Sequence, residues 1–163
     1  MLYSRRLKSA GAILGIAVAG TIATAAVASA GFGITPLNLV TANLNEEPLV
    51  NHDRVKFQTK DATVVRVQRL TFAAGAYSGW HHHPGMIVVA VESGSVTLSD
   101  HNCGTKTYGP GLPDGAVFVE GHDNAQQASS AAGAVVYVTY VVPRTNPVVF
   151  RIEDSVPFCA TSL

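Results

Sequence analysis

Charged residues are scarce in this 163-residue sequence, and the basic ones form no cluster that could serve as a nucleic-acid-binding surface. Lys and Arg number 11, as do Asp and Glu, and together they make up 13% of the chain. No run of basic residues follows Lys8, and residues 31–163 carry 8 basic and 11 acidic side chains. Because nucleic-acid binding depends on neutralising phosphates with Lys and Arg, we expect no nucleic-acid partner.

Cysteine is almost absent as well. The chain has 2 cysteines, Cys103 and Cys159, and neither has a second cysteine nearby. This spacing excludes a zinc site built from cysteine pairs. In an exported protein an even pair is more often bridged than free. We therefore predict a structural disulfide between Cys103 and Cys159, which would tie the C-terminal tail to the turn around Cys103.

Acidic residues are missing from the start of the chain, where an apolar stretch follows a short basic segment. Arg5, Arg6 and Lys8 precede an uncharged run that ends in Ala28-Ser29-Ala30. This pattern is typical of a secretory signal peptide. We expect residues 1–30 to form a signal helix that is removed, leaving a secreted or cell-envelope protein without membrane contact. The alternative is a retained membrane anchor, because the run is nearly long enough to span a bilayer.

Helix-type periodicity is lacking after residue 30, and the remaining signals predict strands. We expect residues 31–50 to be a loosely ordered lead-in, docking at most one short strand through Leu37, Leu39 and Val40. Residues 51–163 are predicted to form one β domain, because short apolar runs are separated by Gly, Pro and Asn turns. The apolar positions of 63–72 change from odd to even numbers near Gln68, which predicts a β-bulge there. Residues 86–91 are predicted to form a strand buried on both faces.

A histidine cluster carries the main chemical signal of the sequence. His81 and His83 are two residues apart, so on a strand both imidazoles point to the same face. Two nitrogens from one strand and a third from a neighbouring strand would make a facial metal site. His82 would point to the opposite side of the strand.

The stretch from Gly75 to Gly94 resembles the first motif of the cupin superfamily. That motif has a glycine, five residues, His-x-His, a glutamate after three or four residues, and a second glycine, and Gly75, His81, His83 and Gly94 match it in register. The resemblance covers residues 55–152 and looks most like small exported bacterial cupins. It implies an all-β double-stranded β-helix, or jelly-roll barrel. It also implies one divalent transition metal (Zn, Fe, Mn, Ni or Cu), a small-molecule ligand or substrate, and a homodimer.

The sequence departs from the cupin pattern at two places. The motif glutamate falls on Ile87, so the usual carboxylate ligand is missing and the metal ligands would all be neutral. The second motif begins at Gly115 but looks shortened after residue 120. His122 is the third ligand that we predict there, and Asn124 or Gln126 would take that position if the deletion lies elsewhere.

Two further residues are predicted to lie beside the metal ligands. Glu120 shares its parity with His122, so it would face the same side and could accept a hydrogen bond from a metal-bound imidazole. A solvated strand end is the alternative for this glutamate. Trp80 is predicted to pack next to the histidines.

Three functions remain open from the sequence. The first is an exported cupin that binds one transition metal through His81, His83 and His122; a catalytic role would make it a metal-dependent oxygenase, isomerase or hydrolase. The second is a non-catalytic module that has lost its metal and binds a small ligand. The third is a structural envelope protein in which two barrels pair along a sheet edge. Metal content separates the first two.

Overall fold

The computed structural model describes residues 30–121 and 123–161. The predicted signal peptide, apart from Ala30, lies outside these residues. Within them no helix combines the length and the apolar character needed to cross a bilayer. The strands are β1 Phe32–Leu44, β2 Leu49–His52, β3 Val55–Gln58, β4 Thr63–Tyr77, β5 His81–His82, β6 Met86–Gly94, β7 Val96–Asp100, β8 Thr105–Tyr108, β9 Val117–Glu120, β10 Gln126–Ser130, β11 Ala134–Pro143 and β12 Ile152–Glu153, followed by the 3-10 helix Phe158–Thr161.

The strands form a nearly closed antiparallel barrel. One wall has the order β1-β4-β11-β6-β9, and the other has β12-β5-β10-β7-β8. Strand β4 joins the two walls, because its first ten residues pair with β11 while Ala76 and Tyr77 pair with β10. The β2–β3 hairpin forms a separate two-stranded sheet. The predicted all-β barrel of the double-stranded β-helix type is confirmed.

The core lies inside the barrel and follows the period of two expected for strands. In β6 the alternate residues Ile87, Val89 and Val91 are buried, and the other residues are half-buried or exposed. The predicted strand at residues 86–91 is therefore confirmed, but burial on both of its faces is wrong. Inward side chains from several strands make up the core: Val64, Phe72, Ile87, Val89, Val91, Val96, Phe118, Val136, Val138 and Val142.

Strand β4 is continuous, and the predicted bulge near Gln68 is wrong. Its register with β11 runs without interruption from Thr63 to Phe72. The irregularity lies in the neighbouring strand β1, between Asn38 and Val40. The even-numbered face of β4 therefore stays inside the barrel from Val64 to Phe72, and polar residues of this face line the interior. The change from odd- to even-numbered apolar residues is thus caused by these inward polar side chains and not by a bulge.

Strand β1 replaces the loosely ordered lead-in expected for residues 31–50. It is thirteen residues long and pairs with β4 along nearly its whole length. Ile34 packs against the core, whereas Leu37, Leu39 and Val40 are about half exposed. The strand is therefore held by its backbone ladder and its inward face, and the three residues expected to dock it lie outside.

The chain after β11, residues 144–161, returns to the β5 side of the barrel; we call it the C-terminal segment. Its strand β12 pairs with β5, with Ile152 opposite His82 and Glu153 opposite His81. Its end is covalently attached, because Cys159 is bonded to Cys103 across a sequence separation of 56 residues. The predicted disulfide is confirmed.

Replacing Gly94 by alanine is expected to lower the free energy of unfolding by roughly 3 kcal/mol, because strain and a steric clash add together. Gly94 has a φ of +72°, and a Cβ there would lie 2.1 Å from the carbonyl oxygen of Gly133. Gly75 is the matched control, since its φ is +77° but a Cβ would meet nothing within 4 Å. Gly75→Ala should lose only about 1 kcal/mol. Denaturant unfolding of both variants measures the difference, and equal losses would contradict the clash at Gly133.

Candidate metal centre

His81 and His83 come together inside the barrel at the end of β5. Both side chains are buried, and their ring centroids are 4.8 Å apart in an edge-to-face arrangement. The intervening His82 points the other way and pairs with Asp154 of the C-terminal segment, with 2.8 Å between Nδ1 and Oδ2. The alternation expected of a strand therefore places two imidazoles in the interior and one outside.

Backbone carbonyls fix the orientation of both inner rings. The Nδ1 atom of His81 lies 2.9 Å from the carbonyl oxygen of Gly79, and that of His83 lies 2.6 Å from the carbonyl oxygen of Phe150. A carbonyl oxygen only accepts hydrogen bonds, so each Nδ1 donates. Nε2 is then the nitrogen that each ring presents to the interior. This is the arrangement by which proteins orient metal-binding histidines.

His81 is held in its neutral form. Burial, with the positive charge of Arg151 nearby, lowers the pKa of His81 to about 4. At neutral pH its Nε2 atom therefore carries a free lone pair, as a metal ligand requires.

Glu120 completes a three-residue group at the end of β9. Its side chain is 7% exposed, and its Oε2 atom lies 3.2 Å from Nε2 of His83. The ligand atoms of His81, His83 and Glu120 all lie within 4.8 Å of one another. The sequence pattern placed Glu120 on the inner face but gave it only a supporting role; the structure puts its carboxylate next to the imidazoles.

Oxygen atoms lie next to both ring nitrogens of His83. Its ring lies between two acceptors, the carbonyl oxygen of Phe150 and the carboxylate of Glu120. A neutral imidazole donates one hydrogen bond only. A hydrogen bond between Nε2 and the carboxyl group, or a cation between them, therefore satisfies this buried contact.

Glu120 also faces the position at which the cupin motif has its glutamate. Ile87 occupies that position, and Ile87 and Glu120 are direct partners in the β6–β9 ladder. Directly opposed residues have Cβ atoms about 4.5–5.5 Å apart, so carboxylates from the two positions reach overlapping space. The two imidazoles are therefore not surrounded by neutral groups alone, as we expected, because the neighbouring strand supplies a carboxylate.

The other predicted site residues are placed less centrally. His122 lies outside the described residues. Asn124 is exposed, and Gln126 is half-buried and pairs with His81 through the β10–β5 ladder. Trp80 is buried, and its carbonyl oxygen accepts a hydrogen bond from the backbone N–H of Asp154. In the part of the chain that the structure describes, none of these three side chains lines the cavity at the histidines.

A cavity of about 510 Å³ opens from the histidines and Glu120 into the barrel. Its walls are largely apolar. The polar residues that join the three-residue group in its lining include Arg66, Gln68, Tyr140, Arg151 and Glu153. The sequence reasoning missed these five. The signal for Arg66 and Gln68 was their even numbering within β4, shared with the buried Val64 and Phe72.

The C-terminal segment forms one side of this cavity and is held by charged contacts. Arg151 binds the carboxylate of Glu153 through Nε and Nη2, and Nη2 also donates to the carbonyl oxygen of Ser78 at 2.6 Å. The hydrogen bond from Arg151 lowers the pKa of Glu153. This pair therefore stays charged and couples the C-terminal segment to the turn before β5.

No family model matches the chain, and no curated protein matches it. The strand order and the spacing of Gly75, His81, His83 and Gly94 nevertheless both indicate a β-barrel architecture. The fold is a nearly closed, antiparallel all-β barrel. The all-β barrel that the resemblance implied is therefore confirmed.

Several solved structures are distantly similar. A conserved protein of unknown function from Streptococcus pyogenes is 13% identical over 69% of this chain and 75% of that one, with a TM-score of 0.46. A protein with a double-stranded β-helix domain from Klebsiella pneumoniae is 16% identical over 48% and 63%, with a TM-score of 0.41. A salicylate 1,2-dioxygenase from Pseudaminobacter salicylatoxidans is 17% identical over 46% of this chain, with a TM-score of 0.39. The aligned region spans 20% of that dioxygenase. At such low similarity, no property of these proteins transfers to this one.

Proposed function

We propose that this cupin-fold protein binds one divalent transition metal through His81, His83 and Glu120. The observation that carries the proposal is the shared orientation of the two imidazoles. Both Nδ1 atoms are engaged by backbone carbonyls, so both Nε2 atoms are left for a ligand, next to a buried carboxylate. Two imidazoles and one carboxylate with open positions suit Fe(II), Zn, Mn, Ni or Cu. His122 lies two residues after Glu120 in sequence and stays a candidate for a further ligand.

The residues fit such an ion in their chemistry and spacing. Ligands bound to one ion at about 2.0–2.2 Å are themselves roughly 3–4 Å apart. The 3.2 Å between His83 and Glu120 lies in that range, and the 4.8 Å span of the group requires only a small closure. A bound ion would supply Lewis-acid or oxygen-activating chemistry at the inner end of the cavity. The chain itself orients the imidazoles, and its apolar walls limit the access of water.

We further propose that the protein acts outside the cytoplasm, on a small-molecule ligand or substrate that enters the cavity. The disulfide between Cys103 and Cys159 indicates an oxidising environment. The signal-peptide pattern of residues 1–30 supports export.

A second candidate function is a small-ligand-binding module without a metal. One observation favours it: the 3.2 Å contact between His83 and Glu120 is also the geometry of a direct ion pair, with a proton in place of the cation. In that case the two histidines and the carboxylate would hydrogen-bond an organic ligand. Metal content distinguishes the two functions.

Replacing both His81 and His83 by alanine is expected to abolish metal binding, because two of the three proposed ligands are removed. We expect about one equivalent of transition metal in the wild-type protein purified without chelator or immobilised metal, and none in the double variant. Elemental analysis and a zinc titration measure both. The matched control is His52→Ala with His101→Ala, which removes two exposed imidazoles.

Circular dichroism separates loss of metal from loss of fold in this experiment. An unchanged metal content in the folded His81→Ala, His83→Ala variant would eliminate the proposed centre. A wild-type protein that holds no metal and takes up none on titration would instead support the metal-free ligand-binding module.

A further inference from the structure

We propose that the cavity binds a small organic carboxylate, with the carboxylate group held by Arg66 and an apolar body against the barrel walls. The inference rests on the proposed function in one respect: it places this ligand beside the metal-binding group. The recognition of the carboxylate itself depends on Arg66 and not on the metal.

Arg66 carries a cavity-lining positive charge that the described part of the chain leaves unpaired. Its Nε atom donates to Oγ1 of Thr41 at 3.1 Å, and its guanidinium carbon lies 3.5 Å from the centroid of the Phe150 ring. No carboxylate among the described residues lies within ion-pair distance of Arg66. Both terminal Nη groups therefore remain as donors for a ligand.

Arg151 shows the contrast within the same cavity. Its guanidinium is engaged by the carboxylate of Glu153 and the carbonyl oxygen of Ser78. Its charge is neutralised inside the protein, and its role is to hold the C-terminal segment. Of the two arginines that line the cavity, Arg66 is therefore the one whose guanidinium can form an ion pair with a bound anion.

The guanidinium of Arg66 is fixed in a geometry suited to a carboxylate. Stacking on Phe150 fixes the plane of the group, and the hydrogen bond to Thr41 fixes its rotation within that plane. The remaining Nη1–Nη2 edge is a planar fork, which matches the two oxygens of a carboxylate. Because the side chain is already ordered, binding loses little rotamer entropy.

Tyr140 connects this edge to the metal-binding group. It is the direct ladder partner of Arg66, and its ring contacts both His83 and Phe150 at centroid distances of 5.8 Å. Its hydroxyl has no hydrogen-bond partner among the described residues. A tyrosine hydroxyl can donate a hydrogen bond to a carboxylate. A ligand held at Arg66 would thus lie next to His83.

The rest of the cavity lining favours a ligand whose remaining part, beyond the carboxylate, is apolar. Beyond the polar groups already described, the lining is aliphatic and aromatic and includes Leu70, Phe72, Val89, Phe118, Val136 and Val138. Burying apolar surface against such walls contributes about 25 cal/mol per Å². A volume of about 510 Å³ admits a molecule of the size of a substituted aromatic or short aliphatic acid.

Paired acids and amides test the proposal directly. Benzoate, phenylacetate, cinnamate and hexanoate are titrated calorimetrically against their neutral amides in the wild type, in Arg66→Gln and in Arg69→Gln. Arg69 is the matched control, because it lies on the same strand but faces outward and pairs with Glu92. We expect the wild type and Arg69→Gln to prefer at least one acid over its amide by roughly 10- to 100-fold, as charged hydrogen bonds produce. Arg66→Gln should lose that preference.

Metal analysis of the same samples keeps the two proposals separate. Arg66→Gln is expected to keep the wild-type metal content, since Arg66 does not touch the proposed ligands. No acid preference in any of the four pairs, or a preference that survives in Arg66→Gln, would overturn the carboxylate site. An Arg66-dependent preference in a protein that takes up no metal would support the carboxylate site and refute the metal centre alone.

Discussion

Replacing Glu120 by isoleucine is expected to weaken metal binding by at least about 100-fold, and adding Ile87→Glu is expected to restore most of it. The two residues are direct partners in the β6–β9 ladder, so the double variant exchanges an isoleucine and a carboxylate across one strand pair. The composition of the interior is unchanged by the exchange. Only the strand that delivers the carboxylate differs.

The measurement is a competitive titration of zinc against a chromogenic chelator, with unfolding curves for each variant. Glu92→Gln is the control for loss of a carboxylate, because Glu92 lies on β6 but is exposed. Wild-type affinity in Glu120→Ile would show that Glu120 is not a ligand. A double variant as weak as Glu120→Ile would show that a carboxylate at position 87 cannot reach the metal in this barrel.

Replacing both Cys103 and Cys159 by serine is expected to lower the free energy of unfolding by about 4 kcal/mol. The bond closes a loop with a sequence separation of 56 residues, and its loss gives the unfolded chain the corresponding entropy. Apart from the contacts of Phe150 and the hydrogen bond from Arg151 to Ser78, the C-terminal segment is held by a two-residue ladder and by side-chain pairs near the surface. Such pairs contribute little by themselves, so they cannot replace the covalent link.

Urea unfolding with and without reductant measures this effect. Reductant should bring the wild type to the stability of the serine variant and leave the serine variant unchanged. Metal affinity, measured in parallel, should also fall, because the C-terminal segment provides the carbonyl oxygen that orients His83. A stability loss below about 1 kcal/mol would contradict the loop-entropy account.

Local sequence patterns predicted the fold class and two of the three residues of the candidate metal centre, His81 and His83. These patterns are the alternation of apolar residues in the strands and the spacing of Gly75, His81, His83 and Gly94. They involve residues close in sequence, so they can be recognised without knowing which strands pair with each other. The φ values of the two glycines explain their place in the motif. The two-residue spacing alone brought His81 and His83 to one face.

The remainder depends on which strands become neighbours, which a single sequence does not state. Glu120 matters because β9 pairs with β6 and sets it opposite Ile87. Arg66 matters because β4 runs without a bulge, so the polar side chain stays inside the barrel. Strand β1 was missed because its backbone ladder with β4, more than an apolar face, holds it in place.

The position of the C-terminal segment also orders events during biosynthesis. Chains emerge from the ribosome N-terminal end first. The two inner imidazoles are therefore made well before Phe150, whose carbonyl oxygen orients one of them and whose ring supports Arg66. A nascent chain thus carries both imidazoles and Glu120 before it carries the segment that closes this side of the cavity. If the proposed function is correct, the wall that contacts the ligand is the last part of the site to be synthesised.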